Sequence, residues 1–176
     1  EVIDNSIQAE SKNIKIKIFQ SVPPGKQKPR VSKIVFGDDG IGMDAETIQY
    51  ALQVGWSSRY NDRKGIGRFG VGMTYGAISV CEFVEIYSRE KGGNWQYTFL
   101  DIEDREDNQQ PGIEPIVEKS PSKEYQELAG DYGTIVVWKD IDRIGLDFDI
   151  DEFKHWLGRT YRKFIGERII KNGKVV

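Results

Sequence analysis

Residues 13–20, Asn-Ile-Lys-Ile-Lys-Ile-Phe-Gln, alternate apolar with charged or polar side chains. That two-residue period predicts a strand with one buried and one wet face. A second strand is predicted at 32–36, after a loop carrying Pro23-Pro24-Gly25. Between these strands and the next apolar segments the period changes. Asp44 reads as an N-cap, and 47–54 as the helix behind it. A helix-compatible stretch follows at 73–80. From Cys81 onward strands dominate, at 81–88, 95–102, 112–118 and 134–139, separated by turn-rich pieces such as Lys91-Gly92-Gly93-Asn94. Residues 151–165 place Phe153, Trp156, Leu157, Tyr161 and Phe164 on one side of a closing amphipathic helix. The chain opens on a helical pattern in which Ile3, Ile7 and Ala9 share a face, with no capping signal in front, so further residues are expected upstream. Helices first and an antiparallel sheet second predict an α+β two-layer sandwich.

Composition narrows the class. The chain has 176 residues with 38% apolar and 30% charged, enough for one domain with its own core. No apolar run approaches the roughly 18–20 residues of a membrane span. The single cysteine, Cys81, cannot form an internal disulfide, so a reducing, cytoplasmic setting is the default and a core role is expected for it. His155 has no cysteine or second histidine near it to complete a metal site. The net charge of −3 does not mark the chain as a nucleic-acid binder. A basic C-terminal stretch (Arg159, Arg162, Lys163, Arg168, Lys171, Lys174) reads as a solvated face or as a contact surface. Residues 1–166 are expected to form the main domain. Residues 167–176, with a hairpin Asn172-Gly173, read as the start of a following segment.

The most informative run is Lys64-Gly-Ile-Gly-Arg-Phe-Gly-Val-Gly-Met73. Four glycines (Gly65, Gly67, Gly70, Gly72) fall within eight residues, immediately ahead of a helix. Backbone amides without a Cβ in the way, backed by a helix N-terminus, suit a phosphate cradle. The same letters also match a dinucleotide fingerprint, although the preceding Ser57-Ser58-Arg59-Tyr60-Asn61-Asp62-Arg63 makes a poor buried strand. A plain flexible loop is the third reading.

Three further segments could build a site around this loop. Glu1 and Asn5 stand four residues apart on one helix face, a carboxylate to activate water beside a carboxamide oxygen suited to Mg²⁺. Gly37-Asp38-Asp39-Gly40-Ile41-Gly42-Met43 puts a carboxylate at a strand end, where it could accept an exocyclic amine. Glycines there would admit a flat ring, and Met43 an adaptable wall; the same letters also spell a tight turn. Gly133-Thr134 begins a late strand, and the threonine hydroxyl could reach the same ring.

In this order, Glu-x-x-x-Asn, Asp-x-Gly-x-Gly, a glycine-rich lid before a helix, and Gly-Thr on a late strand resemble the GHKL ATPase superfamily. That superfamily holds gyrase B, Hsp90, sensor histidine kinases, MutL and the MORC proteins. Gly-Arg-Phe-Gly-Val-Gly-Met followed by Gly-Thr-Ile-Val-Val-Trp is most similar to the MORC, Hsp90 and MutL side. Many Hsp90- and MutL-like members carry Asp three residues after the helix Asn, where this chain has Gln8.

The resemblance implies the Bergerat fold, helices on one face of a mixed, mostly antiparallel sheet, with ATP and Mg²⁺ as cofactors. It makes Glu1 the general base, Asn5 the metal ligand and Asp38 the adenine-recognising carboxylate. Gly40, Gly42 and Met43 would shape the base pocket, with Thr134 supporting the adenine end. Gly67, Gly70 and Gly72 would lie along the phosphates, with Lys64, Arg68, Phe69 and Val71 in the same cradle. The implied function is slow ATP hydrolysis that closes the 55–72 lid and drives dimerisation or switching of a larger protein. Other domains of that protein would engage a protein client or nucleic acid. A non-hydrolysing nucleotide sensor and a histidine-kinase-type phosphotransferase are the alternatives.

Overall fold

The alternation at 13–20 becomes β1 (Ile14–Ser21), paired antiparallel with β2 (Arg30–Asp38). The computed structural model describes residues 1–53, 72–102, 115–144 and 148–165, with side chains from 74 onward in the helix that opens at 72. They fall into two compact units, Glu1–Ile144 and Gly145–Val176. In the first unit the remaining strands are β3 (Cys81–Arg89), β4 (Gln96–Asp101), β5 (Val117–Glu118) and β6 (Gly133–Ile141). They form one six-stranded sheet in the order β1-β2-β6-β3-β4-β5, and all five pairings are antiparallel. β6, among the last in the chain, therefore lies between β2 and β3 at the centre of the sheet. Strand residues 112–114 of the sequence prediction lie outside the described residues.

Strand pleating separates two sets of side chains. On one face Ile34, Trp138, Val84 and Leu100 lie in one cross-strand row, and Phe36, Val136, Ile86 and Thr98 in the next. The third row, at the end of the sheet, is Asp38, Thr134 and Ser88. Apolar rows thus give way to polar ones toward one end of this face. Three short helices serve it. α1 (Val2–Gln8) meets β2, α2 (Ala45–Tyr50) lies against β4, and α3 (Gly72–Ile78) against β3. Asp44 caps α2 as expected, accepting the Thr47 amide. The inward stripe of α1 is Val2 and Ser6 rather than Ile3, Ile7 and Ala9, because the Ser6 hydroxyl is drawn to Asp38. Cys81 is a buried core residue. Its thiol donates to the Ala77 carbonyl, and burial pushes its pKa up to about 12, so it stays a thiol.

The opposite face carries Val35, Val137, Ile135, Tyr87 and Tyr97, all buried. It also holds an ion pair, Lys139 Nζ to Glu85 Oε2 at 2.7 Å. Tyr97 donates to the other Glu85 oxygen at 2.9 Å, so the buried carboxylate is satisfied from both sides. The α+β sandwich is as expected, with one addition: α4 (Lys123–Ala129) covers part of this second face. It was missed because seven residues are too few to show a period. Its signals are Ser122, which caps the Tyr125 amide, and Gly130 just past its end at φ 88°. Leu128 of α4 sits directly over Gly37, where any Cβ would overlap its side chain and its carbonyl carbon.

The second unit contains α5 (Ile150–Thr160), capped by Asp149, which accepts the amides of Asp151 and Glu152. Phe153 and Trp156 stack on it with ring centroids 6.3 Å apart. Residues 166–176, including the expected following segment at 167–176, lie outside the described residues.

Gly37→Ala tests the seat of α4. The new methyl must push the helix off the sheet, and urea denaturation should show a loss of about 1–3 kcal/mol. An unchanged midpoint would mean that α4 is not held there.

Candidate functional site

Among the described residues of the first unit, the polar row at the end of the sheet is the one place where a carboxylate is buried beneath a helix without a cation beside it. Asp38 is only 5% exposed. It stands on the pleat face of Ile34 and Phe36, so its side chain points toward α1. There the Ser6 hydroxyl donates to Oδ2 at 2.8 Å, and the Gly40 amide donates to Oδ1 at 2.9 Å. The Thr134 amide, opposite in the β2–β6 register, donates as well. A carboxylate offers about four acceptor directions. Three are used, which leaves capacity for a ligand donor such as an amine.

Burial pushes the Asp38 carboxyl above its ordinary range. The hydrogen bonds from Gly40, Ser6 and Thr134 work the other way, and the adjacent Asp39 adds to the rise. Asp39 behaves in the opposite sense. Partial desolvation would raise it, but the amides of Asn13 and Lys12 and the Asn13 carboxamide hold it below the usual value. Asp39 ties the loop to the start of β1 and belongs to the scaffold.

The loop after β2 is stitched down at both ends. Ile41 donates its amide to Ala9 at the end of α1, and Met43 donates its amide to Ser88 Oγ at 2.8 Å. A Cβ on Gly40 would meet Ala9 and the Asp38 carboxylate; one on Gly42, at φ 76°, would overlap the Arg89 carbonyl. These two glycines are thus required by the chain's own close approaches. Gly133, at φ 123°, brings β6 against the Asp38 carbonyl, where a side chain would collide.

Asp38, Gly40, Gly42, Met43 and Thr134 therefore lie together at one end of the sheet. Glu1 is the N-cap position of α1, exposed and without a side-chain cap bond; the Asn5 amide donates to its carbonyl, one turn along. Asn5 is exposed too and directly precedes Ser6, so the Glu1/Asn5 stripe borders the buried Val2/Ser6 stripe. Gly72 opens α3. Lys64, Gly67, Arg68, Phe69, Gly70 and Val71 lie outside the described residues. Two residues bonded to this end of the sheet escaped the sequence reading, Ser6 and Ser88. Each betrays itself by position, Ser6 four residues after Val2 on the inward stripe, and Ser88 as the polar end of the alternating Val84, Ile86 series.

Residues 1–134 match the model of the histidine kinase-, DNA gyrase B- and HSP90-like ATPases. The chain belongs to this family. No curated protein matches it. Membership in the ATPase family makes ATP binding and hydrolysis the general chemistry of this fold. Among the described residues no helix is long and apolar enough to cross a membrane. Nor do three acidic, histidine or cysteine side chains among them cluster to hold a metal unaided. The donor present, the exposed Asn5 carboxamide, fits a Mg²⁺ that keeps waters and takes its other ligands from a nucleotide's phosphates.

The sign of the Asp38 shift gives a stability test. Between its ordinary pKa of 3.8 and the raised folded value, the folded state binds more protons than the unfolded one. Its contribution to stability is therefore fully present below 3.8 and lost as pH rises through the folded value. Asp38→Asn should flatten this loss, leaving the thermal midpoint at neutral pH unchanged or higher. A large drop in midpoint would show instead that the charged carboxylate holds the fold together.

Proposed function

We propose that this chain binds ATP at the Asp38 end of the sheet and hydrolyses it slowly with Mg²⁺. The observation that carries this reading is the row Asp38–Thr134–Ser88 beneath Ser6: a buried carboxylate with one acceptor direction to spare, beside a hydroxyl, above an apolar floor. An adenine amine is the donor such a carboxylate takes, and Thr134 stands next to it for the neighbouring ring nitrogen. Asn5 would hold the metal, which would draw charge from the terminal phosphate. Glu1, on the same exposed stripe, would orient a water and take its proton as it attacks that phosphate.

Lys64, Gly67, Arg68, Phe69, Gly70, Val71 and Gly72 support the reading through their residue types alone. Glycine amides and two cations suit a triphosphate, and a segment so rich in glycine suits a lid at 55–72 that closes over ATP and is released after hydrolysis. Closure would favour dimerisation or a change of state in the full-length protein, whose other parts would choose the client. The similarity to MORC, Hsp90 and MutL in the 68–73 and 133–138 segments favours that side of the family.

Two substitutions separate binding from turnover. Asp38→Asn should abolish ATP binding by calorimetry. Glu1→Gln should leave binding within about twofold but lower phosphate release at least ~100-fold, the span of general-base catalysis. Unchanged release with intact binding would remove Glu1 as the base, and release absent from the unsubstituted protein would make it a nucleotide sensor.

A further inference from the structure

Ser88 takes no part in the site by any contact that a nucleotide would make directly, yet its hydroxyl has three polar neighbours. It is fully buried on β3. The Met43 amide donates to Ser88 Oγ at 2.8 Å, Thr134 Oγ1 lies 2.9 Å away, and the Gly133 carbonyl 3.2 Å away. A serine hydroxyl has one proton to give and two lone pairs to fill. Met43 fills one lone pair, because an amide can only donate. The proton must then go either to Gly133, a carbonyl that only accepts, or to Thr134, which can do either.

The choice fixes what Thr134 shows to the site. If Ser88 gave its proton to Gly133, Thr134 would donate to Ser88 and present only lone pairs. Asp38 and Thr134 would then be two adjacent acceptors, the complement of an edge with two adjacent donors, as on guanine (N1–H and N2–H₂). If Ser88 gives its proton to Thr134, the threonine proton is free. The pair then reads a donor beside an acceptor, as on the adenine edge (N6–H₂ and N1). The distances favour the second arrangement. The 2.9 Å between the two hydroxyls suits donation in either direction, so the deciding distance is the 3.2 Å to Gly133, which lies beyond the ordinary O–H···O range.

We infer that Ser88 is a positioning residue that sets the hydrogen-bond polarity of Thr134, and through it the preference of the pocket for an adenine over a guanine base. This rests on the reading of Asp38 and Thr134 as the base-recognition pair. Ser88 itself touches no ligand; it is buried one strand away and acts by donating its proton. The row order Asp38, Thr134, Ser88 across β2, β6 and β3 gives a relay of defined direction: Ser88 donates to Thr134, Thr134 donates to the base, and the base amine donates to Asp38.

A double-mutant cycle read as the ATP-to-GTP ratio of dissociation constants tests the relay, using Ser88→Ala, Thr134→Val and the pair in the full protein. Ser88→Ala should narrow the preference for ATP by about threefold to tenfold, the worth of one hydrogen bond. In the Thr134→Val background the same change should have no further effect on the ratio. A purely structural Ser88 would lower the unfolding midpoint and both affinities together, leaving the ratio where it was. That outcome, or equal effects of Ser88→Ala in both backgrounds, overturns the inference. Should Ser88→Ala not fold, Ser88→Cys carries the test, since a thiol of similar size is a much weaker donor. The underlying reading fails separately. If Asp38→Asn still binds ATP, the base pocket is elsewhere; if Asp38→Asn loses ATP while the ratio ignores Ser88, only the relay is wrong.

Discussion

A carboxylate taken out of water without a cation beside it constrains everything around it. Asp38 keeps that position because three donors converge on it, from α1, from the loop after β2 and from β6. Each donor demands something of the backbone that delivers it. Ser6 requires α1 to lie with Val2 and Ser6 inward. The Gly40 amide requires a turn so tight that a side chain there would strike Ala9 and Asp38 itself. The Thr134 amide requires β6 to run directly beside β2, and Gly133 lets it come close enough. The central place of β6 in the sheet, far from its neighbours in sequence, is the topological form of this demand.

The two faces of the sheet divide the labour. The face under α4 uses its buried carboxylate differently: Glu85 is matched by Lys139 and Tyr97, and the whole group is closed. Burial and the neighbouring Glu85 carboxylate raise the Tyr97 pKa far above its ordinary value, so the phenol stays protonated. On the α1 side the carboxylate is hydrogen-bonded but left uncompensated in charge. A closed ion pair fixes register and strand order, whereas an open acceptor waits for a donor from outside. The contrast within one sheet is what supports the proposed site at Asp38 independently of any relative.

Much of this was legible in the chain. Strict alternation marked β1, the Asp44 cap marked α2, and the apolar series from Cys81 marked β3. The convergence of Asp38, Gly40, Gly42, Met43 and Thr134 followed from motif order. The resemblance singled out Asp38 of the two adjacent aspartates. Strand parity gives the inward turn independently, since Ile34, Phe36 and Asp38 share a face, but the predicted strand ended at 36 and the count stopped two residues short. The helix α4 was too short to reveal a period, and Ser6 and Ser88 are marked in the chain by their place on an inward stripe but not by their bonds. Their importance comes from partners 32 and 46 residues away, which only the folded sheet brings together.

Glu1 and Asn5 differ from the row in a way that bears on how the two halves of the chemistry are coupled. The proposed recognition groups, buried Asp38 and half-buried Thr134, are hydrogen-bonded to several separate elements, so they are preorganised before any ligand arrives. The proposed hydrolytic groups stand on the exposed stripe of one seven-residue helix, where only backbone contacts hold them. α1 is bonded to the row through Ser6, whose hydroxyl also lies 3.0 Å from the Val2 carbonyl. That hydroxyl can therefore turn from Asp38 to its own helix without breaking α1. On the proposed reading, a base amine would take the acceptor direction of Asp38 that Gly40, Thr134 and Ser6 leave free, with Ser6 one residue along from Asn5 on α1.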